Sequence, residues 1–226
     1  MDLVIIYEDD DIIVINKDNG LVVHPTVNKK NNTLVNGLLY YSPNLSDIGG
    51  ELRPGIVHRL DAFTTGLLVV AKNNDTHKIL VQQFNDRMVT RKYMALVWGV
   101  ILNDKGTIKA PIGRKINERK KQTVTSINSK EAITHFRVIK RFKEVTLVEV
   151  SLETGRTHQI RVHFNYIGHP VVNDAVYSKR KIIDDSGPCL HAKVLGFNHP
   201  TTNKYVEFSC SIPTCFNNIL EKFKEE

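Results

Sequence analysis

Two short stretches of this chain gather residue types that do chemistry. The first is Gly55-Ile-Val-His58-Arg59-Leu60-Asp61, followed by Ala62-Phe-Thr-Thr-Gly66 and an apolar run. A carboxylate in a turn just before a buried strand rests on rigid scaffold, as a reacting group must. His58 and Arg59 beside it are polar and cationic, suited to phosphates or to a displaced base. The same spacing also fits an aspartate that merely closes a turn with its own side chain. The second stretch is Thr154-Gly155-Arg156-Thr157-His158-Gln159-Ile160-Arg161-Val162-His163. It places two arginines and two histidines at the start of a helix, where free backbone N–H groups already favour anions. Arg161 flanks the apolar face of that helix, and a partly buried arginine needs a carboxylate partner. A surface cluster of basic residues with no single role is the alternative.

Other chemistries lack their residues. Nine histidines are present, but no H-E-x-x-H and no H-x-E with P-C-x-x-C, and His158 and His163 are five apart, so no metal site is expected. Neither G-x-G-x-x-G nor a P-loop occurs, so no nucleotide cofactor is expected. The net charge of +7 is uneven: residues 105–143 hold twelve Lys/Arg against Glu118 and Glu131, a local +10, while the remainder carries −3. A basic segment on a near-neutral body points to a polyanionic partner, unless it is only a solvated loop. Cys189, Cys210 and Cys215 are odd in number and form no C-x-x-C, which fits a reducing, cytoplasmic setting. No run approaches the roughly 20 apolar residues of a spanning helix, and the acidic start is not a leader, so no membrane partner is expected.

These side chains need elements to hold them. Short apolar runs bounded by turn residues predict strands at Ile12–Asn16, Gly66–Ala71 and Tyr93–Ile101, and a hairpin of Thr134–Phe142 with Val145–Leu152. Helical spacing predicts a segment capped by Thr33, and another capped by Asp75 or Thr76 carrying Leu80, Phe84 and Met88. A third helix is predicted over Thr157–Ile167, and a last one with Pro213 in its first turn and Phe216, Leu220 and Phe223 on its face. Strands and helices intersperse without regular βαβ alternation. The prediction is therefore α+β, with a central mixed, largely antiparallel sheet and flanking helices. Order should be weakest at 28–32, 44–51 and 117–130, which are polar and turn-rich.

Taken together the motifs resemble the RluA/RluD family of RNA pseudouridine synthases, over most of the chain. The opening Tyr7-Glu-Asp-Asp-Asp-Ile-Ile-Val-Ile-Asn-Lys17 with Gly20-Leu-Val-Val-His24-Pro25 is similar to the family's. So are Gly55–Asp61, Lys92-Tyr93-Met-Ala-Leu-Val-Trp-Gly99, Leu152–His163, Gly168-His-Pro-Val-Val172 and Leu190-His-Ala192, in that order. The resemblance implies a single catalytic domain over 1–226, without the small amino-terminal RNA-binding domain of many relatives, and a fold forming an RNA cleft. It implies isomerisation of uridines in structured RNA after base flipping, with no cofactor. Large-subunit (23S) ribosomal RNA is the expected substrate, with tRNA the other candidate, and the enzyme is expected to act as a monomer. A catalytically silent RNA-binding or RNA-folding module is the reading from a different class.

Residue by residue, the resemblance makes Asp61 the catalytic aspartate. Tyr93 packs against the target base, and Arg161 pairs with Asp61. Arg59 helps displace the base, and Leu190 lines the pocket. RNA contacts are further expected from His58, Arg156, Arg119, Lys120 and Lys121. Two departures stand out. Ala62-Phe63 replaces the usual polar start, and Asn173 replaces the usual glycine of G-H-P-V-V-G-D, which bears on the local turn geometry.

Overall fold

β1 (Ile5–Glu8) and β2 (Ile12–Lys17) pair antiparallel because Asp9 closes the turn between them. Its Oδ1 accepts from the amides of Asp11 and Ile12, each at 2.9 Å. In this computed structural model, residues 2–26, 29–115, 118 and 121–224 are described. α1 (Leu34–Tyr41) starts at Thr33, whose amide and hydroxyl both bond Asn36 Oδ1. β3 (Thr65–Ala71) is buried at every residue, as an unbroken apolar run requires. α2 (Asn74–Asn85) is capped by Asn73, whose side chain accepts from Thr76 N at 2.9 Å. The expected caps, Asp75 and Thr76, sit inside its first turn instead, because Asn73 is the residue at which the chain is still extended. The helix also stops before Met88. Arg87 turns left-handed (φ 61°), Met88 N bonds Gln83 O, and Met88 is left exposed while Val89 is buried.

β4 (Thr90–Trp98) follows, then β5 (Lys105–Lys109), β6 (Ile112–Arg114), β7 (Gln122–Val124) and β8 (Ser129–Lys130). The described part of 117–130, one of the three segments expected to be weakly ordered, holds two short strands, because both find β6 to pair with. β9 (Ile133–Arg141) and β10 (Val145–Leu152) make the expected hairpin, closed by Phe142 N to Val145 O at 2.9 Å. α3 (Gln159–Tyr166) begins two residues later than its pattern predicts, since His158 is left-handed. β11 (Leu190–Asn198), β12 (Tyr205–Ser209) and α4 (Thr214–Glu221) complete the chain, with Pro213 at the cap of α4 rather than inside its first turn.

The chain divides into two compact units, Met1–Arg91 with Ala192–Ser211, and Lys92–His191 with Ile212–Glu226. In the first, the sheet order is β1-β2-β3-β11-β12, and the pairs β1–β2, β2–β3 and β11–β12 are antiparallel. Its core joins Val14, Leu67 and Val69 to Leu80 of α2 and Phe197 of β11. At its rim His199 meets Asp9 at 2.8 Å, which ties the β11–β12 turn to the β1–β2 turn. In the second unit the order is β4-β10-β9-β5, antiparallel throughout, beside the small sheet β7-β6-β8. Met94, Leu96 and Leu147 pack there against Phe216 and Leu220 of α4. A mixed, largely antiparallel sheet arrangement with four helices among the described residues makes the architecture α+β, as expected. No described helix is long and apolar enough to cross a membrane.

Candidate active site

The turn that carries Asp61 is built backwards onto β3. Gly55 is left-handed (φ 68°), and a Cβ there would sit 2.7 Å from Ala71 O, so only glycine lets the chain lie this close. Ala71 N bonds Gly55 O, and Ile56 bridges Val70. His58 comes next, with its Nε2 accepting from Val69 N at 3.0 Å and its ring stacked on Phe84 at 4.6 Å. Burial, and then the Arg91 guanidinium, push His58 down to about 3. It is therefore neutral at physiological pH and serves as a strut between the turn and the strand. That geometry lends no support to the RNA contact expected of it. Arg59 is exposed, Leu60 is buried, and Asp61 is half-buried at the end of the turn, whose exit is closed by Thr64 N to Asp61 O at 3.0 Å.

Lys17 is a residue that sequence reasoning did not single out. It ends β2 and is 1% exposed. Its Nζ donates to Asp18 O, Leu21 O and Ala62 O at 2.8–2.9 Å. Burial pushes its ammonium down to about 8, against the pull of the Asp18 and Asp61 carboxylates. A cation is thus buried under the Asp61 turn and fastened to the next residue's carbonyl. Position 62 acts through its backbone, which is why an alanine there is no loss. The available signal was a lysine continuing the inward face of Ile13 and Ile15.

In the second unit the sequence asked for a carboxylate to hold Arg161, and the structure supplies Asp174. Arg161 Nε and Nη2 reach Asp174 Oδ2 and Oδ1 at 2.7 and 2.9 Å, a bidentate pair in which both side chains are buried. Asp174 Oδ1 also accepts from Val176 N and Tyr177 N. Asn173 takes over the role of the expected glycine. At φ 65° it adopts the left-handed conformation that asparagine tolerates, and its side chain binds Ile183 N, Asp184 N and Gly187 O.

The start of α3 is fixed by Gln159, which is 3% exposed. It accepts from Thr154 Oγ1 and Arg156 N, and donates to Ile133 O and Thr134 Oγ1. Arg156 is half-buried with its Nε on Glu131 O, and His163 is a core histidine bonded to Thr134 and Ala110. Tyr93 is buried in β4 opposite Val150, and Leu190 is buried at the start of β11. Lys121 pairs with Glu118 at 2.6 Å. Arg119 and Lys120 lie outside the described residues.

A solved structure of human RNA pseudouridylate synthase domain containing 1 shares this fold, with a TM-score of 0.77 and 26% identity over 100% of this chain and 96% of that one. The chain belongs to the RNA pseudouridylate synthase family, whose profile matches residues 11–166. It is 53% identical to an uncharacterized RNA pseudouridine synthase of Bacillus subtilis (strain 168), over 100% of this chain and 74% of that protein. It is 43% identical to ribosomal large subunit pseudouridine synthase D of Pseudomonas aeruginosa, over 100% of this chain and 73% of the relative. By family it is an RNA pseudouridine synthase, an isomerase.

The buried histidines give a stability prediction. A histidine whose folded pKa is depressed binds fewer protons folded than unfolded between the two values, so stability is lost as pH falls through that window. For His58 the window runs from the ordinary 6.5 down to about 3, and burial pushes His24 and His163 the same way. The unfolding free energy should fall between pH 6.5 and 4, with His58 contributing at most about 1.4 kcal/mol per pH unit. His58→Gln keeps an acceptor for Val69 N and never charges. Urea titrations at several pH values should show a flatter decline for it, and an unchanged slope would show that His58 does not titrate on unfolding.

Proposed function

We propose that this chain converts uridines of large-subunit ribosomal RNA to pseudouridine, with Asp61 as the reacting carboxylate. The observation that carries the reading is the fixed seat of Asp61, at the end of a turn that His58 fastens to β3 and Lys17 fastens to β2. The reaction breaks the N1–C1′ bond, turns the base and joins C5 to the same C1′. N1 gains a proton and C5 loses one, so no oxidant or energy source is needed. Rigid placement of a single carboxylate is what such an isomerisation asks of a protein. Ribosomal RNA is favoured by the names of relatives, among them the Pseudomonas aeruginosa synthase.

A uridine inside folded RNA must first be unstacked, at a cost of a few kcal/mol. Arg59, exposed next to Asp61, is assigned to displacing it, Tyr93 to packing on the extruded base, and Leu190 to the pocket wall. Arg161, which Asp174 holds through Nε and Nη2, is assigned to pairing with Asp61 on the family resemblance alone. The enzyme is read as a cytoplasmic monomer with no membrane partner.

The test is incubation with unmodified large-subunit ribosomal RNA and, separately, with tRNA transcripts, followed by mass-spectrometric mapping. Conversion at discrete ribosomal uridines is expected. Conversion of tRNA alone would move the substrate, and conversion of neither would overturn the reaction.

The basic segment makes a further prediction. RNA binding should weaken steeply with salt, because each neutralised phosphate releases counterions. Replacing Arg119, Lys120 and Lys121 together by glutamine should reduce the slope of log K against log salt by about 2 to 3. Lys121 contributes least, since Glu118 already engages it. An unchanged slope in filter-binding titrations would remove this segment from the RNA interface.

A further inference from the structure

Tyr177 has no part in the assignments above, yet it joins β7, α3 with its cap, and Asp174 of the second unit. Its hydroxyl accepts from the backbone amide of Gln122 on β7 at 3.0 Å and meets His158 Nδ1 at 2.7 Å. The ring lies under the Arg161 guanidinium at 5.1 Å and stands edge-on to the His158 ring at 5.6 Å. Its own amide donates to Asp174 Oδ1 at 3.2 Å, and Asp174 is the carboxylate that holds Arg161.

The two sides joined here differ in character. β7 pairs with β6, and the pair walls a groove of about 920 Å³ that also touches Gly155-Arg156-Thr157. Arg114, Lys115, Lys130 and Arg156 line it, and among the described residues no aromatic side chain does. Such a cationic surface suits a ribose-phosphate backbone. On the other side stands Arg161. Between them His158 is held at φ 57°, in the left-handed region that few non-glycine residues adopt. Its side chain is held there by the bond to Tyr177.

We propose that Tyr177 is a positioning residue, setting the β6–β7 hairpin against the start of α3 so that RNA backbone in the groove and Arg161 share one geometry. The inference rests on the RNA reading given above. Tyr177→Phe keeps the ring under Arg161 and removes both hydroxyl bonds. The hairpin loses its hydrogen bond to Tyr177 but keeps the apolar contacts of Ile112 and Val124 with Val162, while Arg161 keeps its seat.

The expected result is a KM and a Kd for ribosomal RNA raised about fivefold to tenfold, the size of one hydrogen bond, with kcat within twofold. Gln122→Pro removes the same bond from the other end. It falls at the first residue of an outer strand, where proline is tolerated, and serves if the tyrosine variant fails to fold. The proline variant should lose no more than the tyrosine variant, which also gives up the His158 bond, and the double variant should be no worse than the tyrosine variant. An unchanged KM and Kd, losses that multiply in the double variant, or a fall in kcat at constant KM would each overturn the proposal. Because Kd needs no turnover, a wild-type protein that binds RNA without isomerising it would overturn the reaction proposed above and leave this comparison decisive. Absence of any RNA binding would overturn both.

Discussion

Asp61→Asn is expected to abolish pseudouridine formation while leaving RNA binding within about threefold of wild type. The substitution keeps the size and the turn but replaces the carboxylate by an amide that neither attacks carbon nor takes a proton. Removing one member of a small reacting set costs on the order of 10⁴-fold in rate or more, because no neighbouring group substitutes for it. The turn itself should persist. Its closing bond to Thr64 N uses the backbone carbonyl of Asp61, and its anchors are Gly55, His58 and the Lys17–Ala62 bond. Mass-spectrometric quantitation of pseudouridine checks the chemistry, and filter binding checks the RNA. A variant retaining more than about a tenth of wild-type turnover would show that the reacting carboxylate lies elsewhere.

The second large effect is on stability. Asp174→Ala should destabilise the protein by about 3 to 5 kcal/mol, because it strands a buried guanidinium and leaves the amides of Val176 and Tyr177 without their acceptor. Urea denaturation measures it directly. The pair Arg161→Met with Asp174→Leu removes the charge together with its partner, and should recover much of that stability, since a buried ion pair contributes little net stability over a packed apolar pair. It should not recover catalysis, because Arg161 is also assigned to Asp61. A loss below about 1 kcal/mol in Asp174→Ala would mean that the guanidinium finds water or another acceptor on relaxation. A double variant with full activity would show that Arg161 is structural only.

These effects separate the two sources of information about this chain. Apolar runs at residues 12–16, 66–71 and 145–152 specify strands because burial on a pleated surface is a local demand, readable residue by residue. The turn around Asp61 was legible for the same reason: a glycine, a short polar run and a buried strand follow one another directly. Arg161 declared its need for an acid from its place beside the apolar face of a helix. It could not declare that Asp174, thirteen positions on, would meet that need.

What failed to show is what depends on distant partners. Lys17 reads as an ordinary lysine after a strand until Ala62, forty-five residues away, brings its carbonyl to Nζ. His58 reads as a cationic neighbour of Asp61 until Phe84 and Val69 enclose it and burial removes its charge. Tyr177 carries no motif of its own, and its role exists only where β7, α3 and Asp174 converge. Asn173 reads as a defect where glycine is usual, and proves to be a left-handed residue whose amide anchors the 183–187 segment.

By itself the sequence determined the class of fold, because composition and period act locally, and its resemblance to a family named a carboxylate to test. The tertiary structure alone decided which buried polar groups are charged and what each one holds. A polar atom removed from water must find a partner, and that partner is chosen by folding, not by distance along the chain.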